Sequence, residues 1–224
     1  MRKKKLNRAF LAFVKLTGAL PAAILYKPRV FYAEPQRQRR RLPRPCILIS
    51  NHTSLLDFPL YLLLFPFRTL RFQIAEVLFH KSPALSWLLY RIGGIFVDRD
   101  ARDFGFVGET LEILDAGGTV GIFPQSRLPD GPKPFPFLPS IAYIALHSDA
   151  PIVPAYTDGC YGLKKRTHVM LGAPIRIRDV FPDITDKPED LTRVTEYLEE
   201  TVRALKRQLV EKIGETERRD KPSV

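Results

Sequence analysis

From residue 45 onward the chain alternates short apolar runs with longer amphipathic ones. Short runs suit strands and an apolar position every three or four residues suits a helix with one buried face, so the pattern predicts an α/β fold. It places strands at 46–50, 71–75, 94–98, 119–123, 152–157 and 169–177, and helices at 54–64, 83–91, 101–116 and 138–147. The clearest helix is the last one, with Asp186 as its N-cap, Pro188 inside the start, Glu189 at N3, and Leu191, Val194, Leu198, Val202, Leu205 and Leu209 at helical spacing. The expected architecture is a central mixed, largely parallel sheet flanked by helices, preceded by an N-terminal membrane-associated helical segment. In domain terms, 1–44 reads as a basic, apolar membrane-interface segment and linker, and 45–224 as one α/β domain.

The front end differs in kind. Residues 10–26 form an apolar run of seventeen interrupted by Lys15, short of the roughly 20 needed to span a bilayer. It lacks a small-residue cleavage site, which argues against a secretory signal. On a helical projection Lys4, Arg8 and Lys15 share one face while Leu6, Phe10, Phe13, Thr17 and Leu20 cluster opposite. Positive residues flank the run at both ends, which does not favour a span. The expectation is a helix lying in the cytoplasmic surface of the inner (plasma) membrane, broken at Pro21 and followed by a short re-entering segment.

Charge sharpens this division. The net +11 is carried by residues 1–44, where thirteen Lys or Arg face only Glu34; the rest is 22 basic against 23 acidic. A near-neutral body with a basic front end argues against a nucleic-acid reader and for an anionic membrane surface as partner. Cys46 and Cys160 fall in predicted strands, follow no framework spacing and fit a reducing compartment; no metal site is expected.

Candidate chemistry begins where the first predicted strand meets the first predicted helix, at Asn51-His52-Thr53-Ser54-Leu55-Leu56-Asp57. On one ideal helix His52 and Asp57 would point about 140° apart. They can pair if the helix begins near Ser54, leaving His52 outside it and Asp57 in the first turn. A neutral imidazole would then accept a hydroxyl proton while the carboxylate holds its tautomer. Ser54 and Asp57 also fit a capping box, so dyad and cap both stand. His80, His147 and His168 lack an evident acidic partner and read as surface or packing residues. Two further strand exits carry Asp98-Arg99 and Gln125-Ser126-Arg127; in α/β sheets such exits face a common crevice, and converging guanidinium groups suit a phosphate.

The ordered set of His52 to Asp57, Gly94-Ile95-Phe96-Val97-Asp98-Arg99, Phe123-Pro124-Gln125-Ser126-Arg127 and Pro151-Ile152-Val153-Pro154 resembles the four blocks of the glycerolipid acyltransferase family, most of all the bacterial lysophosphatidate acyltransferases. The likeness covers roughly residues 10–180. It implies transfer of a fatty acyl group from coenzyme A or acyl carrier protein to a hydroxyl of lysophosphatidate in phospholipid synthesis, the thioester being a co-substrate and no cofactor being needed. It makes His52 the general base, Asp57 its orienting partner, Arg99 and Arg127 the acceptor-phosphate ligands, and the 151–154 strand a shaper of the pocket. With no serine or cysteine placed as nucleophile, the hydroxyl would attack the thioester directly, and amides at the helix start would stabilise the oxyanion.

Two departures stand out. Where the family usually has Glu then Gly after Phe-Pro, this chain has Gln125 and Ser126, and the segment after them, 134–140, is rich in proline. Gln donates and accepts hydrogen bonds but carries no charge. That keeps two alternatives open: another lysolipid or an aminolipid as acceptor, or a lipid-binding homologue without turnover.

Overall fold

The structure is a computed structural model that describes residues 6–38, 40–98, 104–131 and 133–219. Its elements run α1 (Arg8–Tyr26), β1 (Arg29–Tyr32), β2 (Cys46–Ser50), α2 (Asp57–Leu64), β3 (Leu70–Ala75), α3 (Glu76–His80), α4 (Pro83–Arg91), β4 (Ile95–Val97), α5 (Gly105–Asp115), β5 (Thr119–Ile122), α6 (Ser140–Leu146), β6 (Ile152–Thr157), β7 (His168–Leu171), α7 (Ile177–Val180) and α8 (Pro188–Arg219). Among the described residues, the strands form one sheet in the order β1-β7-β6-β2-β5-β3-β4. Every adjacent pair is parallel except β6 with β7, so the sheet is mixed and largely parallel, as the pattern predicts.

Both faces of the sheet are covered, and β2, fully buried along its length, shows why its sequence is an unbroken apolar run rather than an alternating one. Leu48 points with α1, α2 and α4 into one core, while Ile47 and Ile49 point with α5, α6 and α8 into the other. The chain leaving β2 enters α2 on the first face; the chain leaving neighbouring β5 enters α6 on the second. Adjacent strands whose connections part to opposite faces open a crevice at their carboxyl ends.

Several boundaries differ from expectation. The predicted 169–177 strand stops at Leu171, after which Ile175 makes only an isolated bridge to Ile152. Cys160 lies in the loop after β6, not in a strand. β1 escaped notice because its four residues are half-buried at the sheet edge and sit in a charged stretch.

α1 is turned differently from its helical projection. It runs unbroken through Pro21, because packing against α2 and α4 outweighs the one internal bond that proline removes. Lys15 is buried rather than solvated: its ammonium donates to the carbonyls of Phe65 (3.1 Å), Pro66 (3.4 Å) and Arg68, which follow α2 and lack helical partners. Burial pulls that ammonium down to about 8. Leu11, Ala22 and Tyr26 face inward with it, whereas Phe13, Leu16, Leu20 and Ile24 form an exposed apolar face. Instead of re-entering, the chain turns at Lys27 in the left-handed region and proceeds into β1.

Candidate active site

The crevice between β2 and β5 is assembled from the sheet outward. Just past β2, the Asn51 amide accepts from Thr157 N (2.8 Å) and donates to Thr157 O (2.9 Å), extending the β2–β6 contact by one residue. That pins the point at which the chain leaves the sheet. The His52 N–H then donates to Gln125 Oε1 at 2.6 Å. The imidazole stacks on Phe123, centroids 4.3 Å apart and planes 11° apart, and Phe123 stacks on Phe72. Phe72 lies across β5 at Gly121, where an added Cβ would meet its ring at 2.3 Å, so a bare backbone is required beneath it.

α2 starts at Asp57, three residues later than expected, and its N-cap residue Leu56 offers no side-chain bond. Asp57 itself bends back over the turn. Its Oδ2 accepts from His52 Nδ1 (2.9 Å), Thr53 N (2.6 Å) and Ser54 N (2.9 Å), and its Oδ1 from Thr53 Oγ1 (3.0 Å) and the Tyr161 hydroxyl. The same carboxylate therefore serves as dyad partner and as the tie that closes the turn leading into α2. Its side chain is fully shielded from solvent while His52 is 14% exposed. Burial pushes the Asp57 carboxyl up, but the hydrogen bonds from His52, Tyr161, Ser54 and Thr53 outweigh it and hold it below the usual carboxylate value. An ionised Asp57 accepts only, so the imidazole proton sits on Nδ1 and the Nε2 lone pair is left free.

That ring forms part of the wall of an apolar cavity of about 1980 Å³, which extends from α1 (Val14, Gly18) past α2 and α4 (Leu63, Leu88) to the segment after β5. Ser126 and Arg127 line it, as does Gln125; Arg127 is exposed. Ser126 adopts φ 59°, a left-handed conformation that glycine takes most readily. Gln125 is only 5% exposed, and both ends of its amide are engaged within the protein. Arg99 lies outside the described residues, so the expected convergence of two arginines comes down to Arg127 sharing a cavity with His52. Residues 151–154 contribute no wall to the cavity among the described residues; from Ile152 on they pair with β2 as the start of β6, and the last residue of that strand, Thr157, holds Asn51.

Two expectations need correction. Of the amides at the expected helix start, proposed as oxyanion donors, Ser54 N is bound by Asp57 Oδ2, Leu56 N by Ser54 Oγ (3.2 Å) and Asp57 N by Ser54 O (3.0 Å). His168 does have an acidic partner, Asp158 at 2.7 Å, and Asp158 also takes the amides of Cys160 and His168, so this pair organises the loop after β6. Tyr161 went unnoticed because it lies 104 residues from Asp57. It reaches the carboxylate because Gly159, at φ +66°, passes within 2.4 Å of Thr53 Oγ1 by the position a Cβ would take, bringing the loop against the corner.

Fold and site together define the class: an open α/β sheet with a histidine–carboxylate pair at its switch point, set in the wall of a long apolar cavity. Residues 32–158, over half the chain, match the acyltransferase family, and the chain belongs to that family. It is 26% identical over 156 residues to 1-acyl-sn-glycerol-3-phosphate acyltransferase beta of Homo sapiens, covering 65% of this chain and 55% of that protein. To 1-acyl-sn-glycerol-3-phosphate acyltransferase alpha of Bos taurus it is 26% identical over 176 residues, covering 74% of this chain and 59% of that one. The matches thus span less than two thirds of either relative. The crystal structure of the 1-acyl-sn-glycerophosphate (LPA) acyltransferase PlsC from Thermotoga maritima shares the fold, with a TM-score of 0.61 and 20% identity over 89% of this chain and 78% of that chain.

Proposed function

We propose that the protein transfers a fatty acyl group from an acyl-CoA or acyl carrier protein thioester to the free hydroxyl of lysophosphatidate, with His52 as general base. The observation that carries this reading is the His52–Asp57 pair, whose Nε2 is left free in the wall of an apolar cavity large enough for an acyl chain. The names of the relatives, all 1-acylglycerol-phosphate acyltransferases, support the choice of substrate. His52 Nε2 takes the hydroxyl proton as the oxygen attacks the thioester carbonyl. The tetrahedral oxyanion collapses, the C–S bond breaks, and the imidazolium returns the proton to the departing thiolate. Asp57 stabilises the transient imidazolium, and Arg127, with Arg99, binds the acceptor phosphate.

On this reading α1 lies in the membrane surface. It is long and apolar enough to cross a bilayer by length and composition. One face, however, is packed on α2 and α4, and the other presents Phe13, Leu16, Leu20 and Ile24 outward, the arrangement of an in-plane helix. The basic residues at its flanks suit the anionic cytoplasmic leaflet of the inner membrane.

The test is transfer by the membrane-bound protein with both donor types and a panel of lysolipids and aminolipids. His52→Ala is expected to lower turnover by about 10²–10⁴-fold. No transfer to any acceptor, or transfer indifferent to His52→Ala, would sink the catalytic reading; a different preferred acceptor would replace lysophosphatidate alone.

A further inference from the structure

Gln125 stands where the family's resemblance would put a glutamate, and its surroundings ask for one acceptor and one donor, which a neutral amide supplies and an ionised carboxylate does not. One side of its side chain meets the backbone N–H of His52, which can only donate, and the other meets the carbonyl of Phe135, which can only accept. This fixes the amide orientation: Oε1 faces His52 at 2.6 Å and Nε2 faces Phe135 at 3.2 Å. A carboxylate could satisfy the first contact but would turn a lone pair toward the second.

What the second contact holds is part of the cavity. Phe135, Pro136, Leu138 and Pro139 line it. This proline-rich stretch has few amides with which to anchor itself. Phe137 N bonds to Glu199 Oε2 on α8 (3.1 Å), and Leu138 N bonds to Pro124 O (2.9 Å). The Gln125–Phe135 bond is the tie nearest the histidine.

We propose that Gln125 is a positioning residue that joins the proline-rich cavity wall to the backbone of His52, setting the wall's distance from the base and thereby the acyl donors the cavity accepts. It touches neither reacting atom. The proposal rests on the transferase reading above, and it moves residue 125 from the acceptor side of the site to the donor side.

Gln125→Glu and Gln125→Met separate the two ends of the bridge. Glu, assayed at a pH high enough to ionise it, keeps the acceptor for His52 N–H and loses the donor for Phe135, whereas Met loses both. Amide hydrogen exchange of Phe137 and Leu138 in the full-length protein reads the wall directly and needs no activity. It should quicken on the order of tenfold in both variants, the scale of one net hydrogen bond. Turnover with thioesters of graded chain length reads the consequence. Gln125→Glu should broaden the chain-length preference mainly through KM, with a smaller loss of kcat than Gln125→Met. Gln125→Met should also lower kcat for every donor by about 10–100-fold, the scale of a misplaced base.

Unchanged exchange at Phe137 and Leu138 in both variants overturns the bridge. So does Gln125→Glu altering acceptor preference with the donor profile untouched, since that returns residue 125 to the acceptor. If the two variants are equally impaired and equally destabilised, the residue is merely structural and the proposal fails. Absence of transfer by the wild-type protein would remove the transferase reading and the donor role with it, while the exchange data would still decide whether the wall is tied to His52.

Discussion

Asp57→Asn should impair the chemistry while sparing the geometry, and the hydrogen bonds around the carboxylate say why. Two backbone amides point at Oδ2 and can only donate, so an asparagine must place its oxygen there, where it also receives His52 Nδ1–H. Its NH₂ then faces the hydroxyls of Thr53 and Tyr161, both able to accept. Tautomer and ring position survive, and what is lost is the negative charge beside the imidazolium formed during turnover. Unit charges about 4 Å apart at an effective dielectric of about 20 interact by about 4 kcal/mol, which sets a ceiling near 10³-fold. Steady-state kinetics on protein in vesicles should therefore show kcat down by about 10²–10³-fold with KM changed less than roughly twofold. The double variant with His52→Ala should be no slower than His52→Ala alone, because both remove one unit. A variant within about threefold of wild type, or losses that multiply, would refute the dyad. Asp57→Ala also orphans two half-buried amides, at up to about 1–3 kcal/mol each, and should melt below Asp57→Asn.

The same carboxylate predicts an acid limit to stability. Its folded-state value lies below the ordinary 3.8, so its contribution is fully present above about pH 4 and fades as pH falls through the folded value. The gap in stability between wild type and Asp57→Asn should narrow on acidification below pH 4 in chemical denaturation, and a gap that widens there would reverse the sign. Gly121→Ala would drive a methyl into the Phe72 ring that backs Phe123 and His52, so melting should register a loss of about 1–3 kcal/mol together with reduced turnover. Leu16→Glu with Leu20→Glu alters only the exposed face of α1; flotation with anionic vesicles should fall at least tenfold while the melting temperature holds, and unaltered flotation would place the anchor elsewhere.

Much of the fold was readable because its signals are local. β2 and β6 are apolar runs, and α8 repeats its leucines and valines over many turns, so a period alone identifies them. What failed depended on partners distant in sequence. Lys15 looked like a solvated cation because nothing nearby in the chain reveals the carbonyls of Phe65 to Arg68 waiting for it. Helical projection consequently assigned its side of α1 to solvent. At the site, His52 and Asp57 were legible from spacing and a turn, yet Tyr161 and the Thr157 contact of Asn51 come from over a hundred residues away. Gln125 was visible as a departure, but its meaning required knowing that an amide and a carbonyl flank it.

On the proposed placement of α1 in the membrane surface, the buried Lys15 governs how the protein would meet a bilayer. An anchor on a leash lets its cargo wander in height, and the reacting groups must find the lipid anew each time. α1 has no such slack: withdrawing it would part the Lys15 ammonium from the carbonyls of Phe65, Pro66 and Arg68 and uncover Leu11 and Tyr26. On that placement the helix is a keel built into the hull, and the depth at which it floated would also fix the draught of His52. Lipids of different bulk would then reach the base by rising or sinking to it, with the protein itself as the fixed gauge.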